Sequence, residues 1–152
     1  MSKISLLEKN IKNLPAVLEQ YENELEAVKD ILTIKGKRLE LANSEQCTWL
    51  QYYDQKRIEL HTLVKYLEAK VSATRGSLFR SYTEKSQRDL SDRAKDKYID
   101  NEKAYLTVYE LFLEVKELHD HFNSVVEAFK QRGYSLNNIT KIRIASLEDA
   151  EI

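Results

Sequence analysis

Lys65, Lys70, Arg75, Arg80 and Lys85 recur every five residues, Arg88 follows them, and Phe79 and Tyr82 stand among the charges. From Lys56 to Arg88 the cations face only Glu59, Glu68 and Glu84. Residues of these types hold polyanions: each cation neutralises a phosphate, and each exposed ring offers a face for an unpaired base, worth about 1–3 kcal/mol. On a helix a step of five residues carries the charges around the axis instead of along one face. Such a spiral suits a phosphate backbone touched by several helices. The plainer reading is a solvated helix face whose tyrosines turn toward the core.

A second basic group, Lys130, Arg132, Lys141 and Arg143, flanks Gly133-Tyr134, and no acid lies between Ala128 and Arg143. Cations near a helix C-terminus favour the macrodipole, which alone accounts for Lys130 and Arg132. Lys141 and Arg143 are then phosphate contacts or rim charges of an oligomer interface. His119-Asp120-His121 does not make a metal site, because helix neighbours two apart point away from each other. Cys47 reads as a small core residue with no base placed to activate it. Trp49, Tyr52 and Tyr53 read first as packing aromatics and second as stacking platforms. With no phosphate loop and no acid/base pair, the chain presents no residues for an enzyme and calls for no cofactor.

The elements that must carry these residues are helices. Of 152 residues, 32% are charged, and there are only three Gly and one Pro. That composition is helix-rich and coiled-coil-like, with too few turn formers for strands. The expected architecture is all-α, one helical domain of long amphipathic helices whose apolar surface also suits contact with other subunits. Pro15 in a first turn behind Asn13 opens a helix over 14–42, with Gly36 as a kink or early end. Asn43-Ser44 marks a break, with Gln46 in a capping-box position, and a basic second helix spans 44–82. A polar connector covers 83–99, partly helical, and a third long helix covers 100–131. Tyr105, Val108, Phe112, Val115, Phe122, Val126 and Phe129 repeat there at heptad spacing and form the candidate oligomer seam, with His119 in the same line. Leu111, Leu118 and Val125 widen the stripe toward more than one neighbour. Gly133 fits a left-handed C-cap, and Ser135 opens a short helix over 135–147 whose Leu136, Ile139 and Ile142 share a face that Leu147 extends.

The net charge of −1 argues against a generic polycation. Its distribution is uneven: an acidic first helix, the basic second, and an acidic third. A single cysteine fits a reducing interior. The N-terminus lacks a signal-like apolar core, and no apolar run approaches the ~20 residues of a membrane span. A soluble, cytoplasmic protein with no membrane role is expected. A basic interfacial helix is disfavoured because charges and large apolar groups do not separate cleanly.

Three stretches in order resemble the UvsY family of tailed-bacteriophage recombination mediators. The first is Cys47-Thr48-Trp49-Leu50-Gln51-Tyr52-Tyr53, leading into a Lys/Arg-bearing helix. The second is Ala69-Lys70-Val71-Ser72-Ala73-Thr74-Arg75-Gly76-Ser77-Leu78-Phe79-Arg80-Ser81-Tyr82, similar to that family's basic, aliphatic, then aromatic stretch. The third is Lys97-Tyr98-Ile99-Asp100-Asn101-Glu102-Lys103-Ala104-Tyr105-Leu106, ahead of a helix that closes on Arg132-Gly133-Tyr134. Gly76 and Ser77 depart from the family pattern, where another positive charge is expected, so Arg75 and Arg80 carry over better than Ser77. The resemblance implies a ring-like homo-oligomer, without an active site, that binds single-stranded DNA in the infected bacterial cell. Its implied partners are that DNA, a RecA-like recombinase, and the single-strand-binding protein it helps displace. The rival reading is a helical scaffold or chaperone-like protein that uses the same seams and binds no DNA.

Overall fold

Pro15 at the head of the chain's first amphipathic run has no N–H to lose in a first helical turn. In the computed structural model, which describes residues 13–86 and 89–146, that run is α1, Leu14–Leu32. Three further helices follow: α2 Leu39–Lys85, α3 Asp92–Ile99 and α4 Lys103–Ile144. Every regular element among the described residues is α-helical, so the chain is all-α.

The helix boundaries differ from the sequence reading in three places. α1 stops at Leu32 instead of running to residue 42. Thr33 is extended and Gly36 takes a φ of +82°, a left-handed conformation that glycine adopts without steric cost. The carbonyls this exposes are met locally: Thr33 Oγ1 donates to Lys29 O at 2.9 Å, and Lys37 Nζ to Asp30 O and Ile31 O, both at 3.2 Å. With the turn made at Gly36, no break is needed at Asn43-Ser44. Both residues are helical, and Ser44 Oγ donates back to Leu41 O at 2.9 Å.

The third difference lies at Gly133, which is inside α4 and has no positive φ. The expected helices over 100–131 and 135–147 are therefore one element, and Leu147 lies outside the described residues. A helical glycine costs about 1 kcal/mol. Burial of Phe129, Arg132 and Leu136 on either side outweighs that cost. The polar connector does hold a short helix. Ser91 caps α3 by accepting from Ala94 N at 3.3 Å, and Asp92 sits in its first turn.

The chain separates into two compact units, one of the described residues up to Glu59 and from Asp120 onward, the other of Leu60–His119. The first unit packs α1 with the start of α2 and the end of α4. Its core holds Leu14, Leu18, Val28, Ala42, Tyr53, Phe122, Val126, Phe129 and Leu136. Tyr53 stacks on Phe129 with centroids 5.1 Å apart, and Tyr21 meets Phe122 edge-on at 5.5 Å. Such pairs add about 0.5–1.5 kcal/mol each beyond the area they bury. The second unit buries Leu60, Leu63, Val64, Leu67, Ile99, Val115 and Leu118.

This burial corrects the seam. Val115, Phe122, Val126 and Phe129 are at most 3% exposed, so these four expected seam residues are already covered within one chain. Phe122 is met by Tyr21 of α1 and Tyr53 of α2, and Phe129 by Tyr53. Tyr105, Val108 and Phe112 remain half-buried. Cys47 is exposed, and its neighbour Gln46 takes the buried place instead.

Candidate nucleic-acid interface

α2 is one continuous helix of 47 residues, and it positions the whole basic run except Arg88, which lies outside the described residues. At 100° per residue, Lys70 and Lys85 fall about 60° apart around the axis and about 22 Å apart along it. Lys65 and Arg80 are related in the same way. The spiral persists, and what divides its members is their partners.

Lys65 Nζ bonds Glu68 Oε2 at 2.8 Å, one helical turn on. That bond, with the charge behind it, holds the Glu68 carboxyl below its ordinary range. Arg75 is held more fully: Nη1 donates to Asp100 Oδ1 at 2.9 Å, Nη2 donates to Asp96 Oδ1 at 3.0 Å, and the guanidinium lies 5.4 Å from the Tyr105 ring centroid. The hydrogen bonds to Asp100 and then Asp96 raise its pKa further. Phe79 lies under Lys95 Nζ, 5.0 Å from the ring centroid. Tyr82 stacks on Tyr98 at 5.8 Å with planes 24° apart, and its hydroxyl donates to Glu102 Oε1. That hydrogen bond, then burial, raises the Tyr82 pKa.

Lys70, Arg80 and Lys85 are exposed and form no ion pair with any described residue. Lys85 lines an open cleft of about 680 Å³ with Leu78, Tyr82, Leu90, Tyr98 and Glu102. Tyr98 is 53% exposed, so a ring and a cation face solvent together there. Lys56, at the start of the basic run, is already neutralised by Glu24 at 3.6 Å and Glu59 at 3.8 Å.

The second basic group does not form one patch. Lys130 bonds Glu127 at 2.6 Å on its own helix. Lys141 and Arg143 are exposed near the end of α4. Arg132 is only 4% exposed and is a structural tie. It donates from Nε to Leu32 O at 3.2 Å, and from Nη1 to Ala42 O at 3.3 Å and to Gln46 Oε1. Gln46 Nε2 in turn donates to Phe129 O. One side chain thus joins the end of α1, the start of α2 and α4, and burial lowers its pKa. Gly133 belongs to this tie, because a Cβ there would lie 3.1 Å from Gln46 Nε2. The Arg-Gly pair of the closing signature is accordingly an internal clasp, and Arg132 offers no surface for a phosphate.

Sequence reasoning missed Asp96, Tyr98, Asp100 and Glu102 as neighbours of the basic run. The i, i+2, i+4 alternation of acid and ring around Tyr98 was the available signal. Comparison with protein-family models, with curated proteins and with solved structures returned no match. No helix among the described residues is long and apolar enough to cross a membrane.

Proposed function

We propose that this protein binds single-stranded DNA through the second half of α2 and acts as a recombination mediator. On this reading it helps a RecA-like recombinase onto strands covered by single-strand-binding protein. The observation that carries the DNA-binding part is the set Lys70, Arg80 and Lys85, exposed and without described carboxylate partners, with Lys85 sharing a cleft with the stacked Tyr82 and the exposed Tyr98. Exposed cations along one helix, one of them beside an accessible ring, match what an unpaired strand needs: phosphate neutralisation and a stacking face. The mediator role rests on the resemblance described above.

In the proposed mechanism no bond is made or broken. Each chain neutralises a few phosphates, and a homo-oligomer multiplies these weak contacts into avidity. With four of the expected seam residues already buried, self-association falls to what remains outside. Leu106 and Leu113 are 38% and 44% exposed, lie seven residues apart on α4, and are flanked by half-buried Tyr105 and Phe112. That heptad-spaced pair is the proposed contact for a coiled-coil-like, ring-forming assembly in the bacterial cytoplasm. The scaffold alternative draws on the same exposed pair and predicts no DNA affinity.

The test is fluorescence anisotropy of labelled poly-dT across a range of salt, with duplex of equal length as comparison. Tight, steeply salt-dependent binding to the single strand is expected. The triple variant Lys70→Glu, Arg80→Glu, Lys85→Glu should lose affinity by about tenfold or more with unchanged sedimentation. No binding at low salt, or an unaffected triple variant, rejects the reading.

A further inference from the structure

We propose that the segment Lys95–Glu102 is an internal mimic of a DNA strand, covering part of the α2 surface until a real strand displaces it. The inference rests on the single-stranded DNA reading above and concerns the control of that same site.

Arg75, Phe79 and Tyr82 are spaced i, i+4, i+7 and share one face of α2. They are one arginine and the two aromatics of the basic run, and all three are covered by one short segment. Asp96 and Asp100 sit four residues apart and bring two carboxylate oxygens to the two terminal nitrogens of Arg75, at 3.0 and 2.9 Å. A phosphate offers two oxygens to the same fork of donors. Between these acids, Tyr98 lays its ring near-parallel to that of Tyr82, as a stacked base would. Beyond them, Glu102 accepts a hydrogen bond from the Tyr82 hydroxyl. Read along the chain, Lys95 lies on Phe79, and from Asp96 onward the segment presents anion, ring, anion, anion to Arg75 and Tyr82. From Asp96 that is the order of groups in a phosphodiester strand with one base turned in.

The cover is built to exchange without unfolding. Ile99 is fully buried, and it holds α3 to its unit. The competing groups lie outside that anchor: the Asp96 and Asp100 side chains are 49% and 56% exposed, and the Arg75 side chain is 36% exposed. Ion pairs this accessible are weak against solvent and salt. Rotation of side chains alone frees Arg75 and Tyr82, which then extend the path begun by Lys70, Arg80 and Lys85. A strand that binds only through the open cations is held loosely, while one that also displaces the mimic is held by the full set.

The experiment compares the unaltered chain with Asp96→Asn/Asp100→Asn by poly-dT anisotropy over a salt series. A charge-matched control is Glu84→Gln/Asp89→Asn, two exposed acids that hold no described cation. The Asn pair should raise affinity about three- to tenfold and steepen the salt dependence by about one further phosphate contact. The control should gain less, and Arg75→Ala added to the Asn pair should erase the gain. If the unaltered chain binds and the Asn pair gains no more than the control, the mimic is refuted and the DNA reading stands. If neither protein binds, both fall. Should the Asn pair lose its helical circular dichroism, Tyr98→Ala, which removes an exposed covering ring, carries the same expectation.

Discussion

Gly76 and Gly133 are both interior to long helices, and replacing each by alanine should move stability in opposite directions. Alanine is favoured over glycine inside a helix by about 1 kcal/mol. At Gly76 an added methyl meets no atom within 4 Å, so the whole gain is realised. For a chain of this size it corresponds to a rise of roughly 2–4 °C in Tm. At Gly133 the same methyl would lie 3.1 Å from Gln46 Nε2. That amide cannot retreat freely, because it donates to Phe129 O while its carbonyl accepts from Arg132. Loosening two buried hydrogen bonds, one of them charge-assisted, costs about 2–4 kcal/mol. Set against the propensity gain, Gly133→Ala is net destabilising by about 1–3 kcal/mol. Urea and thermal unfolding followed by helical circular dichroism read both variants. If Gly133→Ala melts as high as Gly76→Ala, the Gln46–Arg132 clasp does not constrain α4, and the account of the Arg-Gly pair fails.

Arg132→Met keeps the apolar stem but strands the acceptors at Leu32, Ala42 and Gln46, and should lower stability by about 2–4 kcal/mol. Its single-stranded DNA affinity per folded molecule should be unchanged, whereas loss of affinity at full stability would return Arg132 to the binding surface. Gly36→Ala places a Cβ at a φ of +82° and should cost about 1–2 kcal/mol, seen as a lower urea midpoint; an unchanged midpoint would mean the turn is not held in that conformation. Burial, foremost, pushes the Tyr53 phenol from 10.0 up to about 12, and raises Tyr21, which also faces Glu59 and Glu24. Because these folded-state values are raised, the stability from neutral phenols is complete below the ordinary pKa near 10 and is lost as pH climbs through the raised ones. Helical signal should therefore fall above pH 10 together with the part of the tyrosinate absorbance that Tyr21→Phe and Tyr53→Phe remove, and ionisation of that part at pH 10 with the helices intact would contradict the buried core.

The helices were readable because their apolar residues recur at three and four over long stretches, and Pro15 marks the start of α1 wherever the rest of the chain goes. The glycines misled, since glycine permits a turn without requiring one. Gly36 turns the chain; Gly133 stays helical because Gln46 occupies the space a side chain would need. The seam misled for a related reason. Heptad spacing says that a face must be buried but not by what, and Phe122 and Phe129 are covered by Tyr21 and Tyr53 of the same chain.

The candidate site divides in the same way. Lys70, Arg80 and Lys85 could be named from the sequence, since exposed charge on a helix is a local property. Which cations stay free could not be. Lys65 loses its freedom to Glu68 one turn on, which spacing could have revealed. Arg75 loses its freedom to Asp96 and Asp100, more than twenty residues away, through a connector that folds back as α3.

The sequence by itself determined that this chain is helical, that its second helix carries the cations, and that its third apolar face must be buried. These follow from local propensity, composition and periodicity, which act within a few turns of helix. Only the tertiary structure decided which cations meet carboxylates, that Arg132 is a buried tie, and that Val115, Phe122, Val126 and Phe129 are covered within one chain. Those outcomes depend on which distant segments reach each other, and pairing across such distances is settled by the packing of the whole chain.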